Sequence, residues 1–214
     1  MTTRFCRLHL EPMEAREVPA ALTGGAIAVA RSDGQTDAAV QFLNAFDNGA
    51  RIPTITPFVG FRGTLAVSQG DLNGDLRPDV VVVAQGGGGH VKVFDGSTGG
   101  LLQSFLAFPG YEGVVSVGIA DVDGDRFDDV LVSASATGGH VKAFSGFDGT
   151  LLDSFLAFSP NTTDGVLVAT GDADRNGRSD ILVTMQGGRV PGVWVFDGIS
   201  GRLLNSPTGA SLPT

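Results

Sequence analysis

Residues 121–129 of this chain read DVDGDRFDD, and related segments stand at residues 71–79 (DLNGDLRPD) and 172–180 (DADRNGRSD). Their first residues, Asp71, Asp121 and Asp172, are spaced by 50 and 51 residues. The flanking sequence repeats in the same register, since LLQSFLAF at 101–108 returns as LLDSFLAF at 151–158. The chain is therefore predicted to be an array of repeats about 50 residues long.

Each repeat is predicted to form four short strands. In the middle copy these are residues 114–120, 130–133, 140–144 and 151–158, which are rich in β-branched or aromatic side chains and bounded by Gly or Asp. The turn between the third and fourth strands carries two glycines three residues apart, which suits a hairpin that needs positive φ. Four-stranded units at this period are typical of propeller blades. No segment has a 3.6-residue apolar period, so we expect an all-β, β-propeller-like array of about four four-stranded blades with almost no helix.

The repeats are predicted to cover residues 23–206. The units are expected at about 24–60, 61–110, 111–160 and 161–206. The first unit is incomplete, because residues 26–58 supply a second, third and fourth strand without the first strand and its acidic segment. Residues 1–22 are expected to be a leader or mobile extension, and residues 207–214 a tail.

Each acidic segment places a side-chain oxygen at its positions 1, 3, 5 and 9, and position 7 can offer its backbone carbonyl. Calcium takes six to eight oxygen ligands in a flexible cage, and a glycine at position 4 or 6 permits the sharp bend. About three Ca²⁺ sites are therefore predicted. Their predicted ligands are Asp71, Asn73, Asp75, Arg77 and Asp79; Asp121, Asp123, Asp125, Phe127 and Asp129; and Asp172, Asp174, Asn176, Arg178 and Asp180.

Two other interpretations of the acidic segments fit the sequence less well. Asp, Asn and Gly make good turns without a metal, but turn chemistry does not require a further oxygen at position 9 in all three copies. An EF-hand requires a Glu at position 12 and flanking helices, whereas position 12 here is Val82, Val132 or Val183.

The bulk composition excludes several classes of partner. The net charge of −9 argues against nucleic acid and anionic membranes, which need clustered Lys or Arg. The sequence contains no run of 18 apolar residues, so no transmembrane segment is predicted. Cys6 is the only cysteine, so no internal disulfide is possible. His90 and His140 recur with the strand period and no nucleophile elbow is found, so the chain is not expected to be an enzyme.

The repeats resemble the FG-GAP and VCBS families, such as the calcium-binding blades of integrin α-chains, over about residues 24–206. The family repeat has Phe-Gly near the first strand, an Asp-rich loop and Gly-Ala-Pro after the second strand. Here 58–60 only approximates Phe-Gly, and 85–87 replaces Gly-Ala-Pro. The resemblance implies a propeller, an extracellular location, and adhesion or ligand binding. Residues 7–16 are similar to the short leader of many bacterial repeat-rich surface proteins, which implies export.

These observations predict a calcium-binding extracellular or cell-surface module for protein–protein interaction or adhesion. The ligand, a protein or a glycan, is expected at the rim opposite the acidic segments, as the integrin resemblance implies. A lectin-like carbohydrate-binding propeller is the alternative, and an enzyme is the least favoured. Because the first blade is incomplete, the array is expected to leave apolar surface exposed, and a homodimer or a partner-dependent fragment is predicted.

Overall fold

The computed structural model describes residues 26–44, 51–135, 138–162, 165–186 and 192–206. These residues form β-strands, turns and irregular segments, without a helix. The strands form four antiparallel sheets that follow one another along the chain. The first sheet has three strands and the other three sheets have four each.

The strands of each sheet lie side by side in chain order. The first sheet contains β1 (Ala26–Arg31), β2 (Ala39–Asn44) and β3 (Arg51–Ile55). The second contains β4 (Leu65–Gly70), β5 (Asp79–Ala84), β6 (His90–Phe94) and β7 (Leu101–Leu106). The third contains β8 (Val115–Ala120), β9 (Asp129–Ala134), β10 (His140–Phe144) and β11 (Leu151–Leu156). The fourth contains β12 (Gly165–Gly171), β13 (Asp180–Gln186), β14 (Trp194–Phe196) and β15 (Leu203–Asn205).

The hydrophobic core lies between consecutive sheets. Strand β5 is buried along its whole length because both of its faces are covered. Val80 and Val82 pack towards the first sheet, while Val81 and Val83 pack towards the third. Burying a valine side chain stabilises the fold by about 1.5–3 kcal/mol, so this continuous apolar run ties three sheets together.

Contacts between sheets run mainly through their early strands. β1 contacts β4, β4 contacts β8, and β8 contacts β12. The outermost strands β7 and β11 leave every second side chain exposed, which is the pattern of an edge strand. The described sheets form a propeller-like array of blades, and they do not close into a ring.

The predicted strands are found close to their predicted positions. In the third sheet, β8 begins one residue later than predicted and β11 ends two residues earlier. The first sheet has three strands among its described residues, as the sequence pattern indicated. The predicted leader (1–22) and tail (207–214) lie outside the described residues, and the predicted unit boundaries stay predictions.

The two glycines of the third-to-fourth turn have different roles. Gly99, Gly149 and Gly201 have positive φ, as predicted. The preceding glycine of each turn does not have positive φ. A Cβ atom at Gly96 or Gly146 would instead overlap a backbone carbonyl of the acidic segment beside it. The first glycine of the turn is therefore required for close approach to that segment.

Candidate metal centres

The three acidic segments, called here the first, second and third acidic loops, occupy equivalent places in the fold. Residues 71–79 join β4 to β5, residues 121–129 join β8 to β9, and residues 172–180 join β12 to β13. In each loop, position 9 is the first residue of the second strand. The predicted placement of the loops between the first and second strands is therefore found in all three four-stranded sheets.

The position-1 carboxylate holds the backbone of each loop. In the first loop, Asp71 accepts hydrogen bonds from the N–H groups of Gly74 and Leu76, at 2.7 and 2.8 Å. In the second, Asp121 accepts from Gly124 and Arg126, at 2.6 and 3.0 Å. In the third, Asp172 accepts from Asn176 and Gly177, both at 3.0 Å. In all three loops the position-1 aspartate thus accepts the N–H of position 6, which closes the turn.

Positions 3 and 5 repeat this pattern one step further along the loop. In the second loop, Oδ1 of Asp123 accepts from the N–H of Asp125 at 3.0 Å. Oδ1 of Asp125 accepts from the N–H of Phe127 at 2.8 Å. Equivalent bonds occur in the other two loops. The second carboxylate oxygen of Asp123 and that of Asp125 are not used by these bonds, so they can bind a cation.

The position-9 carboxylate is buried in all three loops, at Asp79, Asp129 and Asp180. One oxygen accepts the position-2 N–H, from Leu72 at 3.0 Å or from Val122 at 2.9 Å. In the first two loops the other oxygen accepts the N–H of the close-approach glycine, at 3.0 Å. This residue therefore fixes the acidic loop to the third-to-fourth turn of the same sheet.

Burial shifts the acidity of these carboxyl groups. It raises the pKa of Asp79 and of Asp129 to about 6, although the backbone N–H groups that they accept lower it. Burial also raises the pKa of Asp123, and the neighbouring Asp125 and Asp121 raise it further by repulsion. Such crowding of carboxylates is unfavourable at neutral pH unless a cation offsets it.

Two of the loops gather three carboxylates into one cluster. Oxygens of Asp121, Asp123 and Asp129 lie within 4.8 Å of one another, and those of Asp172, Asp174 and Asp180 do the same. Calcium–oxygen distances are about 2.3–2.6 Å, so two ligands of one ion lie up to about 5 Å apart. Both triads therefore fit a single hard cation. They consist of the predicted positions 1, 3 and 9; positions 5 and 7 of the predicted ligand sets stay predictions.

The first loop is arranged differently, because its position 3 is Asn73. The Nδ2 group of Asn73 donates to Oδ1 of Asp79 and to Oδ2 of Asp95, both at 3.3 Å. An amide donor thus stands between two carboxylates in this loop. Asp95 lies in the third-to-fourth turn, and the sequence pattern did not indicate it as a neighbour of the acidic loop.

Positions 4 and 6 both adopt the left-handed backbone conformation in every loop. The prediction required a glycine at one of them, and each loop has only one. The other position is filled by Leu76 (φ 64°), Arg126 (φ 77°) or Arg175 (φ 64°). A left-handed non-glycine residue costs about 1–2 kcal/mol, so each loop carries local backbone strain.

Adjacent acidic loops also contact each other, which the sequence did not predict. The N–H of Asp128 donates to the carbonyl of Asp71 at 2.8 Å, and the N–H of Asp71 returns a bond to Oδ2 of Asp128 at 2.8 Å. The N–H of Ser179 likewise donates to the carbonyl of Asp121 at 3.1 Å. Position 8 of one loop therefore binds position 1 of the loop before it, and the loops line one side of the array.

The repeated histidines belong to the contacts between sheets. His90 Nε2 lies 2.9 Å from Ser104 Oγ, and its ring packs on Phe58 at 5.0 Å between centroids. His140 makes the same contacts with Ser154 and Phe108. Burial lowers the pKa of both histidines. Phe158 instead packs on the fully buried Trp194, at 5.0 Å.

The rim predicted to bind a ligand is only partly described. Its predicted segments are 59–63, 85–89, 109–113, 136–139, 159–165 and 186–192, of which 136–137, 163–164 and 187–191 lie outside the described residues. Gly86 to Gly89 form four consecutive left-handed residues. The N–H of Gly88 donates to the carbonyl of Tyr111 at 2.7 Å, so this run is fixed to the next blade connector.

Residues 71–132 match the FG-GAP-like repeat. This stretch holds the first two acidic loops and most of the second blade, and it supports the resemblance that the sequence motifs carry. No curated protein matches the chain. None of the described segments is a helix that is long and apolar enough to span a membrane.

Solved structures show likeness at the level of the fold. A complex of KlAtg21 with the coiled-coil of AgAtg16 matches with a TM-score of 0.55 and 15% identity, over 88% of this chain and 55% of that one. The quinohemoprotein alcohol dehydrogenase ADHIIG from Pseudomonas putida HK5 matches with a TM-score of 0.54 and 15% identity, over 86% of this chain and 33% of that one. The chain therefore spans about half and one third of these two proteins.

Proposed function

We propose that this chain is a calcium-stabilised FG-GAP-like repeat module that acts by binding a protein or a glycan outside the cell or at the cell surface. The proposal of calcium binding rests on the two carboxylate triads, which are formed by positions 1, 3 and 9 of the second and third acidic loops. The extracellular location and the adhesive role rest on the FG-GAP-like repeat and on the resemblance to integrin α-chain blades.

The donor chemistry favours calcium over other cations. Both triads supply only carboxylate oxygens, whereas zinc and copper favour His or Cys ligands. Magnesium requires a nearly ideal octahedron and retains several waters. Three carboxylates on a loop with further oxygens at positions 5 and 7 suit the larger and more flexible calcium shell. Extracellular modules bind calcium with dissociation constants on the order of 10⁻⁴ to 10⁻³ M, which is the range expected here.

The loops also link metal binding to folding. In the second loop, Asp129 belongs to the loop and to the second strand, and it accepts the N–H of Gly146 in the third-to-fourth turn. A cation at the triad would neutralise this buried carboxylate and hold three segments of one blade together. Such an ion stabilises the folded state because the unfolded chain does not present the triad.

A binding role is preferred to a catalytic role. The repeated histidines each contact a serine hydroxyl, but each also packs on a phenylalanine of the preceding blade connector. This packing between sheets explains why the two histidines recur with the 50-residue repeat. We therefore assign His90 and His140 to the framework.

Thermal unfolding with and without calcium tests this proposal. At a calcium concentration ten times the dissociation constant, each site adds RT ln 11, or about 1.4 kcal/mol. The melting temperature in millimolar calcium should exceed that in excess chelator by several degrees, and equimolar magnesium should give a smaller shift. Asp148→Asn, in an exposed turn outside the triads, should keep the full shift. An identical melting temperature with calcium and with chelator would refute the proposal.

A further inference from the structure

The outer face of the fourth sheet repeats an apolar pattern that is buried in the preceding sheets. Val193 is 48% exposed, whereas the equivalent Val91 and Val141 are 0% exposed. Leu167 on β12 is 42% exposed. These side chains form part of an apolar depression on this face, which also includes Leu182. We call this surface the free flank, defined by Leu167, Ala169, Leu182, Thr184 and Val193.

The two interfaces within the chain show what covers such a face. Val91 of the second sheet belongs to one core cluster with Val130 and Val132 of the third sheet. Val141 of the third sheet belongs to one with Ile181 and Val183 of the fourth. In both cases the cover is the β-branched face of a neighbouring blade. The free flank continues this series, so its chemistry fits another sheet of the same kind.

The third acidic loop restricts which sheet can lie there. Within the chain, position 7 of one loop packs on the position-4 glycine of the loop before it. A Cβ atom at Gly74 would lie 2.7 Å from Phe127, and one at Gly124 would lie 2.9 Å from Arg178. Position 4 of the third loop is Arg175, whose side chain is exposed. A further blade with a large position-7 side chain would collide with it.

Among its described residues the first sheet carries no acidic loop, so it avoids this collision. Residues 1–25 contain no aspartate, and the strands described in this sheet correspond to the second, third and fourth of a blade. Ala28, Ala30 and Val40 cover the second sheet with one of its faces. On the opposite face of β1 and β2, the partly buried Val29 and Ala39 lie beside Gln41 and the exposed Arg31. The first sheet therefore offers a second face that combines apolar and polar side chains.

We propose that the free flank binds the first sheet of a second copy of this chain. Consecutive sheets are in contact and the described sheets do not close into a ring, so a second copy can cover the free flank. The reciprocal contact joins the last sheet of the second copy to the first sheet of the first copy. The four described sheets of each copy give eight blades in a closed two-fold ring, within the usual number for propellers.

Light scattering coupled to size-exclusion chromatography tests this proposal on the full 214-residue chain in millimolar calcium. The expected mass is twice 22.0 kDa. Val193→Asp places a charge on the free flank and should reduce the mass to that of one chain. Leu106→Asp is the matched control, since Leu106 is 47% exposed on the outer strand β7, and it should remain dimeric.

Circular dichroism establishes whether each variant is folded. If Val193→Asp does not fold, Leu167→Asp provides the same test from the neighbouring strand. A wild-type chain that is monomeric at high micromolar concentration would overturn the proposal, because another partner must then cover the flank. A dimer that persists in folded Val193→Asp or Leu167→Asp would overturn it as well.

Discussion

The Nδ2 group of Asn73 lies 3.3 Å from Oδ1 of Asp79, in the place where the other two acidic loops have an aspartate beside their position-9 carboxylate. The side-chain amide of Asn73 also donates to Asp95. In the first loop, the amide of Asn73 therefore offsets part of the carboxylate charge that a cation would offset in the second and third loops.

This difference predicts that the first loop binds calcium more weakly than the other two. Asn73→Asp removes the amide donor and completes a triad with Asp71 and Asp79. We expect the first loop of this variant to bind calcium with an affinity comparable to that of the second loop, because ligand charge increases affinity. A calcium titration of wild type and variant measures the change. A first loop that binds calcium no more tightly in a folded Asn73→Asp protein than in wild type would contradict this prediction.

The left-handed positions of the loops allow a test of backbone strain. Leu76 has φ 64° and is 91% exposed, so its replacement by glycine loses almost no packing. The left-handed leucine costs about 1–2 kcal/mol, and glycine costs about 0.5–1 kcal/mol in chain entropy. Leu76→Gly should therefore raise the free energy of unfolding by about 0.5–1 kcal/mol in denaturant titrations.

Gly74→Ala is the opposing control for this prediction. Gly74 has φ 77°, and a Cβ atom there would press on Phe127 of the next loop. The alanine variant should therefore be less stable than wild type. If Leu76→Gly destabilised the protein as much as Gly74→Ala does, position 6 would not be strained in the way described.

Burial of the position-9 carboxylates makes calcium binding depend on pH. The pKa of Asp129 rises from its ordinary value of 3.8 to about 6 in the metal-free fold. The folded state thus binds more protons than the unfolded state between these values, and the stability that this proton contributes is lost as the pH rises through about 6. Asp79 behaves in the same way.

A bound cation must displace that proton, so calcium should stabilise the protein less at pH 5 than at pH 7. The measurement is the difference in melting temperature between calcium and chelator at both pH values. Above pH 7 the difference should level off. A calcium shift that is equally large at pH 5 and pH 7 would show that these carboxylates do not give up a proton to the metal.

Replacing the first glycine of the third-to-fourth turn with alanine should cause a large loss of stability, because the added methyl group has no room. A Cβ atom at Gly146 would overlap the backbone carbonyl of Asp128. Gly146→Ala should therefore destabilise the protein by about 3 kcal/mol, the upper range for overpacking, as measured by denaturant unfolding. Gly100→Ala is the control, because Gly100 is exposed and a Cβ atom there would meet only the flexible side chain of Thr98. Equal stability of the two variants would contradict the assigned role of Gly146.

The sequence predicted the parts of the fold that depend on period and alternation. A phenylalanine recurs every 50 residues, at Phe58, Phe108 and Phe158, because each packs on a ring in the third strand of the next blade. The apolar run of β5 indicated a strand, and its burial on both faces follows from its place between two sheets. Such patterns act locally or repeat, so one sequence is enough to reveal them.

Contacts between loops could not be predicted in the same way. The bond from Asp128 to Asp71 joins residues of neighbouring blades, and it depends on how closely two sheets approach. Asp95 lies beside the first acidic loop only because the third-to-fourth turn folds over it. The left-handed state of Leu76 contradicts the usual preference of leucine, so propensity alone would not assign it.

A calorimetric calcium titration tests the central claim most directly. The wild-type chain should bind calcium at the two triads, with dissociation constants on the order of 10⁻⁴ to 10⁻³ M. The double variant Asp123→Ala, Asp174→Ala removes one carboxylate from each triad and should lose both sites while the control Asp148→Asn retains them. If a folded double variant bound calcium as tightly as wild type, or if wild type bound none, the carboxylate triads would not be calcium sites.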